Sequence, residues 1–250
     1  MKKTILAILL LAFCVSISGA GITDKLRAVI AAKNTGGAPA GIALDAKSIA
    51  ADIGTGTVTL SHTVGTGANR VLVVIAGTAN YQHTITGVTA YKSSSPTAMT
   101  SVYAKAEDTH VGQAYVSGWI MTNPDSGTHD IVITASDGGA YVLGIASSWT
   151  GVDQSTPNRT ATTGIANDTA ITVTDSNVTS GDVVVDGWFT GVTQATLTEG
   201  ANQTVLYAQA FSGSMAIASS YQDGADGGVM SWTISTAPWV TGAFSLIPAQ

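Results

Sequence analysis

The sequence predicts an all-β protein: an antiparallel β-sandwich of jelly-roll type, preceded by a short N-terminal helical segment. Three observations predict it. From Gly56 onward Thr, Val, Ser, Gly and aromatics dominate, and helix formers thin out. Short β-type runs recur there, about a dozen of them, separated by Gly, Asn, Asp and Pro. No helical pattern of about 10–15 residues intervenes, which argues against a parallel α/β sheet and for two packed antiparallel sheets.

The chain divides into residues 1–20, 21–55 and 56–250. Residues 1–20 read as a secretory signal. Lys2 and Lys3 form a basic start, Ile5 to Val15 is an unbroken apolar run, and Ser18-Gly19-Ala20 supplies small residues for cleavage. As a helix that run spans roughly 16 Å, well short of a bilayer's ~30 Å. A retained hydrophobic helix is the rival reading. The single cysteine, Cys14, lies inside this segment, and the bulky Phe13 before it makes a poor lipoprotein site. With Ala20 as the last leader residue, the remaining chain has no disulfide, thiolate metal site or Cys nucleophile.

Residues 22–34 predict an amphipathic helix. Thr23 suits the N-cap, Lys33 the last turn, and Ile22, Leu26, Val29 and Ile30 form one apolar stripe. Gly36-Gly37 stops it. Either the helix docks on its own domain, or it is an arm joining the domain to another subunit. The segment Ile42 to Ile53, rich in Ala with Asp and Lys, predicts a second short helix. Residues 1–55 are thus the expected connector to other protein subunits.

The strands follow. Arg70 to Ala76 is continuously apolar, as a central strand buried on both faces would be. Ala114 to Met121 ends at the turn signal Asn123-Pro124-Asp125-Ser126-Gly127, and His129 to Thr134 returns from it, predicting a hairpin. Further strands are expected at Ala140–Trp149, Thr169–Thr174 and Asp182–Phe189. Met230, Trp232 and Ile234 alternate with Ser and Thr, and Val240, Gly242, Phe244 and Leu246 close the chain on the same period. One echo exists: Trp149 to Thr156 (WTGVDQST) resembles Phe189 to Thr196 (FTGVTQAT). It reads as a shared turn solution rather than a solenoid repeat.

Five stretches carry a family likeness. They are Asn69 to Val74, Trp119 to Pro124 with Gly127-Thr128-His129, Gly151 to Pro157, Gly181 to Asp186, and Met230 to Thr233. Together they resemble the concanavalin-like jelly-roll modules of uncharacterised secreted bacterial surface proteins and phage virion proteins. The resemblance covers roughly residues 56–248. It implies the fold and an extracellular or virion setting; its motifs mark strands and turns, and it transfers no catalytic residue.

Composition narrows the function. The 250 residues are 45% hydrophobic and only 10% charged, with a net charge of −6. Four basic residues follow Lys47: Arg70, Lys92, Lys105 and Arg159. A nucleic-acid partner is therefore excluded, because phosphate binding needs a basic footprint. Jelly-roll glycosidases need two carboxyl groups about 5–9.5 Å apart. Glu107 and Glu199 have no second carboxylate at i+2 or i+4. Asp182 and Asp186 share a strand face about 13 Å apart, which reads as solvated carboxylates at strand ends. No Gly-x-Ser-x-Gly elbow, P-loop or dinucleotide fingerprint is present. His62, His83, His110 and His129 lack metal-ligand spacing.

Two candidate sites remain. Asp223-Gly224-Ala225-Asp226-Gly227-Gly228 places two carboxylates in a glycine-rich loop, the makings of a calcium site, against the plainer reading of a glycine turn. Asp137-Gly138-Gly139 is a thinner version. Trp239, out of phase with Val240, and Tyr221 beside the acidic loop make a candidate aromatic platform for glycans. Asn158, Asn167, Asn177 and Asn202 head N-x-[ST] triplets. The expectation is a non-catalytic extracellular structural or adhesive module, with no resident cofactor unless calcium. The alternative is a secreted carbohydrate-binding or carbohydrate-active protein.

Overall fold

The computed structural model describes residues 41–79, 82–109, 114–192, 194, 196–211 and 215–250. The leader and the helix expected over 22–34 lie outside them, as does His110. The first strands are β1 (Ala43–Ile53), β2 (Thr57–Val64), β3 (Val71–Ala79), β4 (Ile85–Lys92) and β5 (Ser95–Ala98). Next come β6 (Thr100–Glu107), β7 (Ala114–Thr122), β8 (Gly127–Ala135), β9 (Tyr141–Thr150) and β10 (Thr162–Thr174). Last are β11 (Val183–Thr190), β12 (Leu197–Glu199), β13 (Thr204–Phe211), β14 (Met215–Asp223) and β15 (Val229–Leu246). Among the described residues the only helix is the 3-10 turn Gly224–Asp226.

All pairings are antiparallel, and the strands form three sheets where the sequence predicted two. A five-stranded sheet has the order β1-β9-β3-β7-β6, and a four-stranded sheet the order β2-β8-β4-β5. A six-stranded sheet runs β10-β15-β11-β14-β13, with β12 paired to β15. The five-stranded sheet lies between the others, because its strands feed two separate cores. On β3, Val71, Val73 and Ile75 join a cluster with Val185, Phe189, Val240 and Phe244 of the six-stranded sheet. The alternate residues Leu72, Val74 and Ala76 join Leu60, Val88, Ile131 and Ile133 of the four-stranded sheet. A strand that serves two cores needs apolar side chains at every position, which explains the unbroken run in β3. In β2 only one face is covered, and burial alternates accordingly.

Close approach of the layers depends on glycine. A Cβ on Gly77 would overlap the Phe189 ring, and one on Gly187 would overlap Ile75. Tyr103 lies in a slot between Gly118 of β7 and Gly242 of β15. On the other side, Gly144 leaves room for the end of Ile133.

Three local expectations are corrected. Residues 43–53 form strand β1 rather than a helix, so the sandwich takes in part of the segment assigned to the linker arm. β1 pairs along its whole length with β9, and Leu44, Ile49 and Ala51 pack on the core. An available sheet edge overrides the weak helical preference of Ala and Lys. The turn at 123–127 does form, with Asn123 at φ 53°. It joins β7 to β8 in a different sheet, so there is no hairpin. Both edges of β7 are already taken by β3 and β6.

The third correction concerns the chain's end, where the two expected strands are one. Asp186 pairs with Ala243, and Trp232 lies eleven residues further back along β15. An extended strand would separate them by about 36 Å. Yet Trp232 Nε1 donates to Asp186 Oδ2 at 2.7 Å. β15 therefore folds back over the outer face of its own sheet. The register with β10 slips between Asp168 and Ala170, next to Pro238, whose missing N–H suits an irregular ladder. Ile171, Trp188, Trp232, Ile234 and Trp239 form the core beneath this fold-back.

Candidate functional site

The acidic loop is a capped turn. Asp223 is the N-cap of the 3-10 turn, and its Oδ1 accepts from Ala225 N at 2.9 Å. Gly227 closes the turn at φ 92°. Asp226 Oδ1 accepts from Asn202 Nδ2 at 3.3 Å. Asp137 Oδ1 accepts from Gly139 N in the same manner. Among the described residues no three His, Cys, Asp or Glu side chains are grouped to hold a metal ion.

The expected aromatic platform is not brought together. Tyr221 stands edge-on to Trp149 at 5.1 Å, on the face of the six-stranded sheet that meets the five-stranded one. Trp239 belongs to the core under the fold-back, and its Nε1 donates to Asp168 Oδ1 at 2.9 Å. Its phase was right, but both faces of that stretch are covered. All five tryptophans are buried.

Asp182 and Asp186 are not solvated strand-end groups; each is 1% exposed. Asp182 takes the Arg159 guanidinium on both oxygens, at 2.6 and 3.2 Å, and the Thr179 N–H at 2.8 Å. Asp186 accepts from Ser220 N at 2.6 Å, Ser220 Oγ at 2.8 Å and Trp232 Nε1. Burial pushes its carboxyl up to about 6, against the pull of those donors. Asp175, also buried, accepts from Ser245 Oγ at 2.5 Å. These are structural carboxylates, and bulk solvent does not reach them.

A site that sequence reading missed lies at one end of the four-stranded sheet. The chain turns between β4 and β5 at Ser93 and Ser94, both left-handed at φ 56° and 60°. Two such residues in succession fit a two-residue hairpin, where Asn-Gly is the usual choice. Serine there costs strain. Asp125 offsets it: its Oδ1 accepts from Ser93 N at 3.0 Å, and its Oδ2 from Ser94 N at 2.6 Å. This bridge fastens the 93–94 turn to the 123–127 turn.

Beside the bridge, Tyr91 and His129 stack with centroids 4.7 Å apart and planes 12° from parallel. Arg70 enters from the other side, its Nε donating to Pro124 O and its Nη1 to Gly67 O. Arg70, Tyr91, Ser94, Asp125, Ser126 and His129 enclose an open groove of about 380 Å³. Behind the stack, His62 faces the same end of the sheet, since it pairs in register with His129. His62 is 3% exposed; its Nδ1 is 2.8 Å from Ser48 Oγ, and its Nε2 has no partner. Burial lowers its proton affinity, partly offset by Asp45.

The available signals were the turn motif at 123–127 and the polar run Ser93-Ser94-Ser95-Pro96. Neither says that the two turns meet. In the echo, Gln154 donates to Val152 O and Gln194 to Val192 O, each after a buried aromatic strand end. No protein-family model, curated protein or solved structure matches the chain.

Proposed function

We propose that this chain is a non-catalytic extracellular structural or adhesive module, secreted by its N-terminal segment and displayed on a cell surface, filament or virion. The observation that carries this reading is the nesting of eight of the first nine strands. β1 pairs with β9, β2 with β8, β3 with β7, and β4 with β5. Nested antiparallel pairs split between two packed sheets support the finer assignment to the jelly-roll type, the architecture of capsid and lectin domains. The step from architecture to role is an analogy of fold. The low-charge Thr/Ser/Gly composition supports it too. Attachment to other subunits runs through the residues ahead of β1.

Intact mass spectrometry with light scattering on native-source protein tests the reading. A large ordered assembly, or display on a surface, supports it. A soluble monomer that turns over a substrate overturns it. Calcium at Asp223 and Asp226 is its one metal arm, and a rise in melting temperature with millimolar Ca²⁺ supports that.

A second reading, a secreted carbohydrate-binding protein, is favoured by one observation. The groove at Tyr91 and His129 combines a ring platform with charged and hydroxyl groups, the usual mix for a sugar.

A further inference from the structure

We propose that the groove formed by the β4–β5 and β7–β8 turns binds a sugar bearing a carboxylate, with Arg70 taking the carboxylate and the Tyr91–His129 stack taking the ring. The proposal rests on the carbohydrate-binding reading and specifies its ligand.

Charge is the first argument. In a chain of net charge −6, Arg70 is one of four basic residues after Lys47. Both of its hydrogen bonds go to backbone carbonyls, which leave its charge unneutralised. Two of its five N–H donors are so engaged, and the remaining three suit a carboxylate fork. The one carboxylate of the groove, Asp125, spends both oxygens on the Ser93 and Ser94 N–H groups. Lys92, next in sequence to Tyr91, lines the neighbouring groove with Thr97, Thr122, Gln154 and Ser155. Two of those four cations thus collect at one end of an acidic molecule, where they draw an anionic ligand.

Construction is the second argument. Arg70 is held from two sides, so its position costs the ligand little ordering entropy. The strained serine pair is fixed by Asp125, and Ser94 presents its exposed side chain at the rim. His62, more than nine-tenths buried with a partnerless Nε2, lies behind the stack in the wall shared by Tyr91, Asp125 and His129. Such a buried polar atom marks a place where a further hydrogen bond is available.

Calorimetric titration of the full chain with trigalacturonate, galactotriose and inorganic sulfate tests this. Trigalacturonate is expected to bind at least ~10-fold more tightly than either other probe, about 1.4 kcal/mol. Arg70→Gln should abolish that preference. Ser126→Glu, on the exposed rim, provides the check against a folding defect: it should weaken trigalacturonate and spare galactotriose. Equal binding of both saccharides, or an unchanged preference in Arg70→Gln, overturns the carboxylate assignment and leaves the carbohydrate-binding reading standing. Sulfate binding as tightly as trigalacturonate overturns the sugar part. Binding of none of the three overturns the proposal, and a wider panel of neutral glycans then judges the broader reading separately.

Discussion

Residues 43–150 and residues 162–246 differ in the ionisable groups they bury. The first region fills its cores with Val, Leu and Ile and buries His62 and Glu107. The second closes over Asp175, Asp182 and Asp186. In the second, the returning part of β15 lays the Trp232 indole over the outer sheet face onto Asp186, while Asp175 takes the Ser245 hydroxyl and Asp182 the Arg159 guanidinium. Burying charge is tolerable only with such partners. Acid should therefore work against the burial of His62 and favour that of Asp186.

The largest test of that contrast is Asp186→Ala. It strands the N–H and hydroxyl of Ser220 and the Trp232 indole in the interior, and should cost about 3–5 kcal/mol. Urea unfolding measures it; a loss below about 1 kcal/mol would mean that the fold-back does not depend on this carboxylate.

The pH dependence comes next. The folded Asp186 carboxyl, at about 6, holds a proton that the unfolded chain has lost above 3.8. Stability from this group is therefore lost as pH rises from about 4 to about 6, by about 3 kcal/mol. His62 works the other way. Its folded pKa lies below the unfolded 6.5, so stability is lost as pH falls below that value. Denaturant unfolding of Asp186→Asn and His62→Gln across pH 4–8 separates the two. Asp186→Asn should remove a falling slope, His62→Gln a rising one, and slopes of the same sign would break the comparison.

Arg159→Met should cost about 2–3 kcal/mol, because Asp182 stays buried while its partner goes. Thermal melts at pH 7 report the loss.

The smallest effect compares the two layer contacts. Gly77→Ala drives a Cβ into the rigid Phe189 ring, whereas Gly144→Ala meets the flexible end of Ile133. About 1–3 kcal/mol is expected for the first and less for the second. The reverse order would place the tighter contact on the four-stranded side.

Much of this was legible beforehand. The run Val71 to Ala76 announced a doubly buried strand, because continuous apolarity needs only the local chain to be seen. Met230, Trp232 and Ile234 announced a half-buried strand by alternation. Trp239 was misread because its phase was judged against a single covered face, and the second cover comes from a strand that turns back. The groove escaped notice because Arg70, Tyr91, Asp125 and His129 come from separate parts of the chain, with no spacing of their own.

The sequence by itself determined the all-β antiparallel class, the low-charge exterior, the turn at 123–127 and the strands β3, β9 and β11. These follow from side-chain period and turn chemistry, which act over a few residues. Tertiary structure alone decided that β1 is a strand, that β7 and β8 part company, that Asp182 and Asp186 are buried, and that two turns meet around Arg70. Each of those depends on which edges and faces remain free once other strands have paired. That is a property of the whole packing, and no local stretch encodes it.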